Sequence, residues 1–506
     1  LSTAKKLASQ TLLYGLTYFG GKLLNYFLTP FYTRLFTDTS TYGVIIELYS
    51  YITFLNVLYT GGYETAYFFF SSKDDLDSKL KAAPQSNTGI LFNTLLFSLI
   101  FIPFSGFWAG ELGYDNHPKL ILFSGLIILF DALVSIPFAQ LRKEDKALKF
   151  STLKLLNIGL TILFNTIILV LIPRFIPEFK EWQSGLKAVE MVLLSNVLAS
   201  GILFLWMSRS FFKIGFLLDI TLFKSMLRYS LPIIVLGLAG MVNETLDRIL
   251  LKYLLTKPPI NLTRTEALSQ IGIYGACYKL SIFMTLAVQS FKYAAEPFFF
   301  KHLKNENGKE TYARIMYYFT FVTSFIFIAV SVYLPVIIHI NGKNYSAAQG
   351  IVPILLIANL FLGWYYYLSQ WYKQTGKTYY GAMISIIGAV ITLVINIAFI
   401  PYFSYWASAI ATMICYFSMA WISYYLSKKH YPMPIKFYQT IYWTVSAVIL
   451  FAVNDTLIHI FNINNLILKM TIGTVLIGIY LIPFYQQEKL LIHTLFKRFS
   501  NGNKVS

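Results

Sequence analysis

Glu244, Arg248 and Lys252 follow one another at intervals of four residues inside an apolar run from Leu231 to Leu255. At helical pitch that spacing stacks the three side chains on one face, with Asn243 and Asp247 beside them. A second apolar run, Ile271 to Phe299, carries Lys279, Lys292 and Glu296, the last two again four apart. An ionisable group at bilayer depth costs at least ~2.5–3.5 kcal/mol on insertion scales, so it faces a bundle interior or a wet cavity rather than lipid. The chemistry such groups offer is solvation of a charge that must cross hydrocarbon. Lys252 and Glu296 stand near the ends of their runs, where reaching out to the headgroups is the alternative.

The first run repeats the pattern. Lys22 stands about 12 residues into it, roughly 18 Å along a helix. With Asn25, Thr29 and Thr33 it makes one polar stripe. The second run carries Glu47 and Glu64. In the remaining runs only Asp131 and Lys154 intrude. Intramembrane charge is thus gathered in the first, second, seventh and eighth runs.

The elements that must position these residues follow from composition. The chain has 506 residues, 56% of them hydrophobic and 13% charged. A soluble domain is about 25% charged, so this is an all-α polytopic membrane protein. About 14 segments are long enough to cross a ~30 Å hydrocarbon core. They span 11–36, 42–69, 87–109, 118–140, 149–172, 187–208, 224–255, 271–299, 312–340, 347–371, 379–401, 404–426, 437–460 and 463–485. The net charge of +18 resides in short connections. With the N-terminus inside, the inner loops hold Lys73, Lys79 and Lys81; Arg142, Lys143 and Lys146; Arg209 and Lys213; Lys301, Lys304 and Lys309; and Lys428, Lys429 and Lys436. The outer loops hold far fewer basic residues. Both termini and the loops at 71–86, 141–148 and 300–311 are therefore expected in the cytoplasm. The apolar run beyond Lys5 and Lys6 has no small-residue cleavage site, so no cleavable signal peptide is expected.

Tyr42–Phe68 aligns on Tyr274–Phe300 without gaps, matching Tyr42/Tyr274, Gly43/Gly275, Leu48/Leu280, Thr53/Thr285, Glu64/Glu296 and Phe68/Phe300. Transporters are often built from such repeats, with the substrate site between halves that rock against each other. Candidate hinges are Gly20, Gly21 and Pro30 in the first segment, Gly61 and Gly62 in the second, and Gly237 and Gly240 in the seventh. Close helix contact through small residues is the other reading of these glycines.

Several chemistries are excluded. A P-loop needs glycine five residues before the Gly-Lys-Thr of 376–378, where Trp371 stands. No metal site, cofactor motif, nucleophile–base pair or nucleic-acid motif is visible. Cys277 and Cys415 lie in apolar runs and the six histidines are scattered singly. The aromatic cluster around Trp364 and Trp371 reads as an interfacial belt, and Lys73–Asp77 as a solvated loop.

Leu7–Phe36, ending in Thr-Pro-Phe-Tyr-Thr-Arg, is followed by Tyr42-Gly43 and by Gly-Gly-Tyr-Glu-Thr-Ala at 61–66. The second half opens with Leu227-Arg228-Tyr229-Ser230-Leu231-Pro232 and continues through Asp247-Arg248 to Tyr274-Gly275. Over nearly the whole chain this pattern resembles the Wzx-type polysaccharide flippases of the multidrug/oligosaccharidyl-lipid/polysaccharide exporter superfamily. The resemblance implies 14 helices in two pseudo-repeated lobes around a central cavity lined by segments one, two, seven and eight. The lobes would be residues 1–220 and 221–426, with 427–506 adding two helices and a basic tail. It implies a non-enzymatic monomer in the bacterial cytoplasmic membrane, among membrane lipid and other polysaccharide-assembly proteins. The implied activity is export of an undecaprenyl-diphosphate-linked oligosaccharide by alternating access, for O-antigen or another surface polysaccharide. Lys22, Arg248, Lys279 and Lys292 are the candidate diphosphate contacts. Asn25, Glu47, Glu64, Asn243, Glu244, Asp247 and Glu296 are the candidate cavity or ion-coupling groups. A lipid II flippase, whose cavity would be arginine-rich, a drug or cation exporter, and a membrane-embedded polymerase or glycosyltransferase stay open as alternatives.

The charge asymmetry yields a direct test of topology. Cysteine introduced at Lys304 is expected to resist an impermeant thiol reagent in intact cells, and ready labelling there would reverse the orientation.

Overall fold

The computed structural model describes residues 2–302, 308–374, 377–430, 432, 434 and 437–502, and every regular element among them is helical. Lys304, Gly376, Lys436 and the side chain of Glu296 lie outside the described residues. The first half holds α1 (Ser2–Leu35), α2 (Thr39–Thr60), α3 (Tyr63–Ser71), α4 (Leu76–Phe101), α5 (Ser105–Glu111), α6 (Pro118–Leu133), α7 (Ser135–Lys143), α8 (Ala147–Thr166), α9 (Ile172–Phe175) and α10 (Gly185–Ile214). The second half holds α11 (Ile220–Leu255), α12 (Arg264–Lys279), α13 (Ile282–His302), α14 (Gly308–Val332), α15 (Leu334–Ile337), α16 (Ile351–Leu368), α17 (Gln370–Gln374), α18 (Tyr379–Phe403) and α19 (Tyr405–His430). Two last helices follow, α20 (Phe437–Ile460) and α21 (Leu466–Gly502). Among the described residues, 11 spans are long and apolar enough to cross a membrane, or 13 when the bent pairs α4–α5 and α12–α13 each count as one. They coincide with the expected segments from the second onward. The first, α1, is long enough at 34 residues and is the run that carries the Lys22 stripe.

Short polar residues start the helices. Asp38 accepts from the backbone N–H of Ser40 at 3.0 Å ahead of α2. Asp75 does the same for α4 through Asp77 and Ser78. Thr263 and Glu266 form a reciprocal capping box on α12. These side chains satisfy amide groups that have no partner within the helix. The stretch before Leu76 is an exposed loop, as expected, whose Asp75 also caps α4, and α4 begins 11 residues before the expected 87.

The connection between the halves is pinned to α4. Asn87 donates to the carbonyls of Phe211 and Gly215 at 3.2 and 3.1 Å. Gln85 accepts from the Asp219 N–H at 2.9 Å. Asp219 caps α11, and the Leu222 amide together with Lys81 holds its carboxyl below the usual range.

The halves meet most closely where α2 crosses α12. A Cβ on Gly43 would collide with the Leu268 carbonyl, and one on Gly272 with the Thr39 carbonyl, so the two backbones touch. Further along, α2 runs against α11, with Val57 beside Gly237 and Gly62 against Ser230. Gly61 and Gly62, at φ +53° and +69°, occupy the left-handed region that separates α2 from α3. By contrast α11 continues unbroken through Gly237 and Gly240. In the second half α16 and α18 both pack on α19. Phe321 of α14 stacks on Phe484 of α21 with Trp443 of α20 beside it, which fixes the last two helices.

A larger side chain at the crossing must push the halves apart, at a cost of ~1–3 kcal/mol or more for an overpacked core. Gly272→Leu is expected to lower the melting temperature of the purified protein. Gly240→Leu, where nothing lies within 4 Å of the added Cβ, is expected to leave it unchanged.

Candidate functional site: a charged cavity between the halves

One turn beyond the Gly43–Gly272 crossing the helices separate around a cavity of about 560 Å³. Its walls come from α1 (Asn25, Thr29, Tyr32), α2 (Tyr42, Tyr49, Thr53, Asn56), α6 (Asp131), α8 (Asn157, Thr161), α10 (Asn196, Ser200), α11 (Glu244, Arg248) and α12 (Tyr278, Lys279). The first half thus supplies five helices where two were expected. No described residue of α13 takes part, because the chain bends by 50° between α12 and α13. That bend carries Lys292 away to Tyr366 of α16, where its ammonium lies 4.5 Å from the ring centroid.

Three of the four basic residues singled out in the sequence converge. Lys279 stands exposed on the cavity wall, within electrostatic reach of Arg248, Glu244 and Lys22. Lys22, half-buried on α1, faces the same Glu244. Arg248 is held differently. Its guanidinium donates to the Glu244 carbonyl and, at 3.4 Å, to Asp247, and sits 4.4 Å over Tyr278. Asp247 in turn accepts from the Tyr274 hydroxyl at 2.5 Å. Arg248 and Asp247 are therefore a built-in pair, Lys279 stands on the cavity wall, and Lys22 lies within electrostatic reach of Glu244. Lys22, Arg248 and Lys279 together outnumber Glu244 and Asp247 by one. Asp131, on the α6 side of the cavity, is within electrostatic reach of Lys154.

The other candidates are placed elsewhere. Glu47 is fully buried outside the cavity, 2.6 Å from Lys252, so Lys252 does not reach out to headgroups. Glu64 pairs with Arg142 of α7. Asn243 donates to the Ser385 carbonyl at 3.3 Å and accepts from Thr392 at 3.2 Å, which ties α11 to α18. Asn25 is exposed to the cavity and lines it. Gly20 and Gly21 face Leu155 and Ile158 of α8, and Pro30 lies within α1. The cavity's tyrosines and the α6, α8 and α10 wall were missed in the sequence. Asp131 and Lys154, the two charges outside the four main runs, were the signal that pointed to that wall. Among the described residues no group of three or more metal-ligating side chains assembles.

No family model and no curated protein matches the sequence. Solved structures do. A structure described as lipid II flippase MurJ in an inward closed conformation aligns over 94% of this chain and 99% of its own, with TM-score 0.71 and 14% identity. An inward-facing multidrug resistance MATE family transporter of the MOP superfamily aligns over 83% of this chain and 94% of its own, with TM-score 0.58 and 12% identity. A Vibrio cholerae MATE transporter gives TM-score 0.55 at 13% identity over 85% and 97% of the two chains. At such identities the likeness is one of fold, and the chain has the transporter fold shared by MurJ and the MATE proteins of the MOP superfamily.

Proposed function

We propose that this chain is a flippase that carries an undecaprenyl-diphosphate-linked oligosaccharide across the cytoplasmic membrane by alternating access. The observation that carries the reading is Lys279 and Arg248 on the cavity wall with Lys22 within electrostatic reach of the same Glu244, a charged cluster with one cation in excess. A lipid-linked glycan presents a diphosphate with about two negative charges and a polar sugar chain, neither of which crosses hydrocarbon unaided. A wet cavity with ammonium groups at hand solvates the diphosphate, while the prenyl chain stays in lipid. One such contact at 4 Å is worth up to ~4 kcal/mol at an effective dielectric of about 20, before desolvation is subtracted. Lysine offers a point charge where arginine would clamp phosphate bidentately, which suits a site that must let go. A cation exporter of the same fold calls for the opposite balance of charge.

In this reading residues 1–220 and 221–426 are the two lobes, and residues 427–506 add a further pair of helices. The lobes rock against each other, bending at Gly61-Gly62 and at Gly20, Gly21 and Pro30 of α1. Gly237 and Gly240 are secondary hinges within α11. The glycan and the polysaccharide pathway are left open.

The membrane potential is a sufficient drive. One charge moved through 100 mV is worth ~2.3 kcal/mol, so a diphosphate leaving a negative interior gains roughly 4–5 kcal/mol. Export is expected to slow when the potential is collapsed at constant pH gradient. Potential-independent transport that still follows the pH gradient would move the mechanism to proton antiport through Glu244, Glu64 or Glu296.

In a flippase-deficient strain or in proteoliposomes, Lys22→Ala and Lys279→Ala are each expected to cut glycan-lipid transport at least tenfold at normal protein level. Lys292→Ala should lose less, and Arg248→Ala should lower protein yield because it strands Asp247. Full transport by both cavity-lysine variants would refute the assignment.

A further inference from the structure

We propose that Glu47, Lys252 and Tyr114 form a latch that holds the two lobes shut at the end where α2 and α12 begin, and that this latch must break for the cavity to open there. The inference rests on the alternating-access reading above and concerns a contact outside the cavity.

Glu47 and Lys252 are 0% and 2% exposed and belong to opposite lobes, 205 positions apart in sequence. One carboxylate oxygen of Glu47 accepts from the Lys252 ammonium at 2.6 Å, and the other accepts from the Tyr114 hydroxyl. The ammonium also donates to the Leu112 carbonyl at 2.9 Å and lies 4.6 Å from the Tyr114 ring centroid. Arg264, at the start of α12, enters the same loop, 5.4 Å from the Tyr114 ring and against the backbone of Gly113. The 112–114 loop and Glu47 of the first lobe thus form a socket for a cation of the second.

Two features make this contact a switch rather than passive glue. First, Lys252 donates to Glu47 and to the Leu112 carbonyl of the other lobe, and Glu47 keeps the Tyr114 hydroxyl but loses its counter-ion when the lobes part, so both charges must then be taken up by water. A half-open state, dry but separated, strands a carboxylate and an ammonium, so the closed and fully open states are both favoured over anything between. Second, the socket lies beside the backbone contact of Gly43 with Leu268 and of Gly272 with Thr39, near the same ends of α2 and α12. Charge pairing and close helix approach therefore make and break together. In the proposed orientation this end faces outward.

The test reads opening without cargo. In a protein whose two native cysteines, both buried, are replaced by alanine, Ile45→Cys places a thiol on the cavity wall behind the latch. Its reaction with an impermeant thiol reagent is timed from each side in vesicles of known orientation. Glu47→Gln is expected to raise the rate at least tenfold from the side of the α11–α12 turn and to leave the other side unchanged. The paired substitution Glu47→Leu with Lys252→Met removes both buried charges and is expected to return the rate to within about threefold of the parent. An unchanged rate in a folded Glu47→Gln protein, or a paired variant as reactive as the single one, would overturn the latch. If Glu47→Gln does not accumulate, Tyr114→Phe takes its place, with an expected rise of about threefold; an unchanged rate in that folded variant also overturns it. Because no cargo is present, a wrong substrate leaves these rates untouched, and a wrong latch leaves the effects of the cavity lysines untouched.

Discussion

A charge placed at bilayer depth must find an opposite charge, a hydrogen-bonding cage or water, and this constraint decides how the helices of this chain are arranged. Breaking a buried pair by removing one member costs about 3–5 kcal/mol, because the survivor is stranded. Lys252 and Glu47, at 2.6 Å, therefore fix α11 against α2. The more exposed Arg142–Glu64 pair links α7 to α3 and, being screened by solvent, holds them far less firmly. Arg248 is absorbed by Asp247 and Tyr278. Beside these pairs, Lys279, Glu244 and Asp131 line the cavity.

Glycine supplies the complementary constraint. Salt bridges between the halves act only over a few ångströms, so the backbones must come close. Gly43 and Gly272 allow this by leaving no side chain at the crossing of α2 and α12. Beyond that crossing the helices carry Tyr42, Tyr49 and Tyr278, and the space between them widens into the cavity. The same two helices therefore provide both the seal and the wall, and a motion that separates them alters both.

Much of this was legible in the sequence. Hydropathy marks the spans because a helix in lipid has to be apolar over its crossing length. The four-residue spacing of Glu244 and Arg248, and the stripe from Lys22 to Thr33, identify α11 and α1 as cavity helices because side chains on one helical face stay together. What helical period does not encode is which helix faces which. Lys252 shares the face of Glu244 and Arg248 in sequence, yet it is drawn into a socket completed by Tyr114, a loop residue that carries no periodic signal. Asn243 lies next to Glu244 and points instead to α18. The α6, α8 and α10 wall is built from neutral Asn, Ser and Thr side chains, which cost too little in a helix to stand out among apolar neighbours. The 50° bend after α12 likewise removes Lys292 from a cluster that linear spacing places it near.

The central claim is that the cavity recognises an anionic diphosphate on a lipid. Binding of undecaprenyl diphosphate to the purified protein, compared with undecaprenol and with a lipophilic cation, tests it most directly. The account predicts that the diphosphate binds at least tenfold more tightly than the alcohol, that added salt weakens it, and that the combined Lys22→Ala and Lys279→Ala substitutions abolish the difference. Equal affinity for diphosphate and alcohol, or tighter binding of the cation, would contradict it.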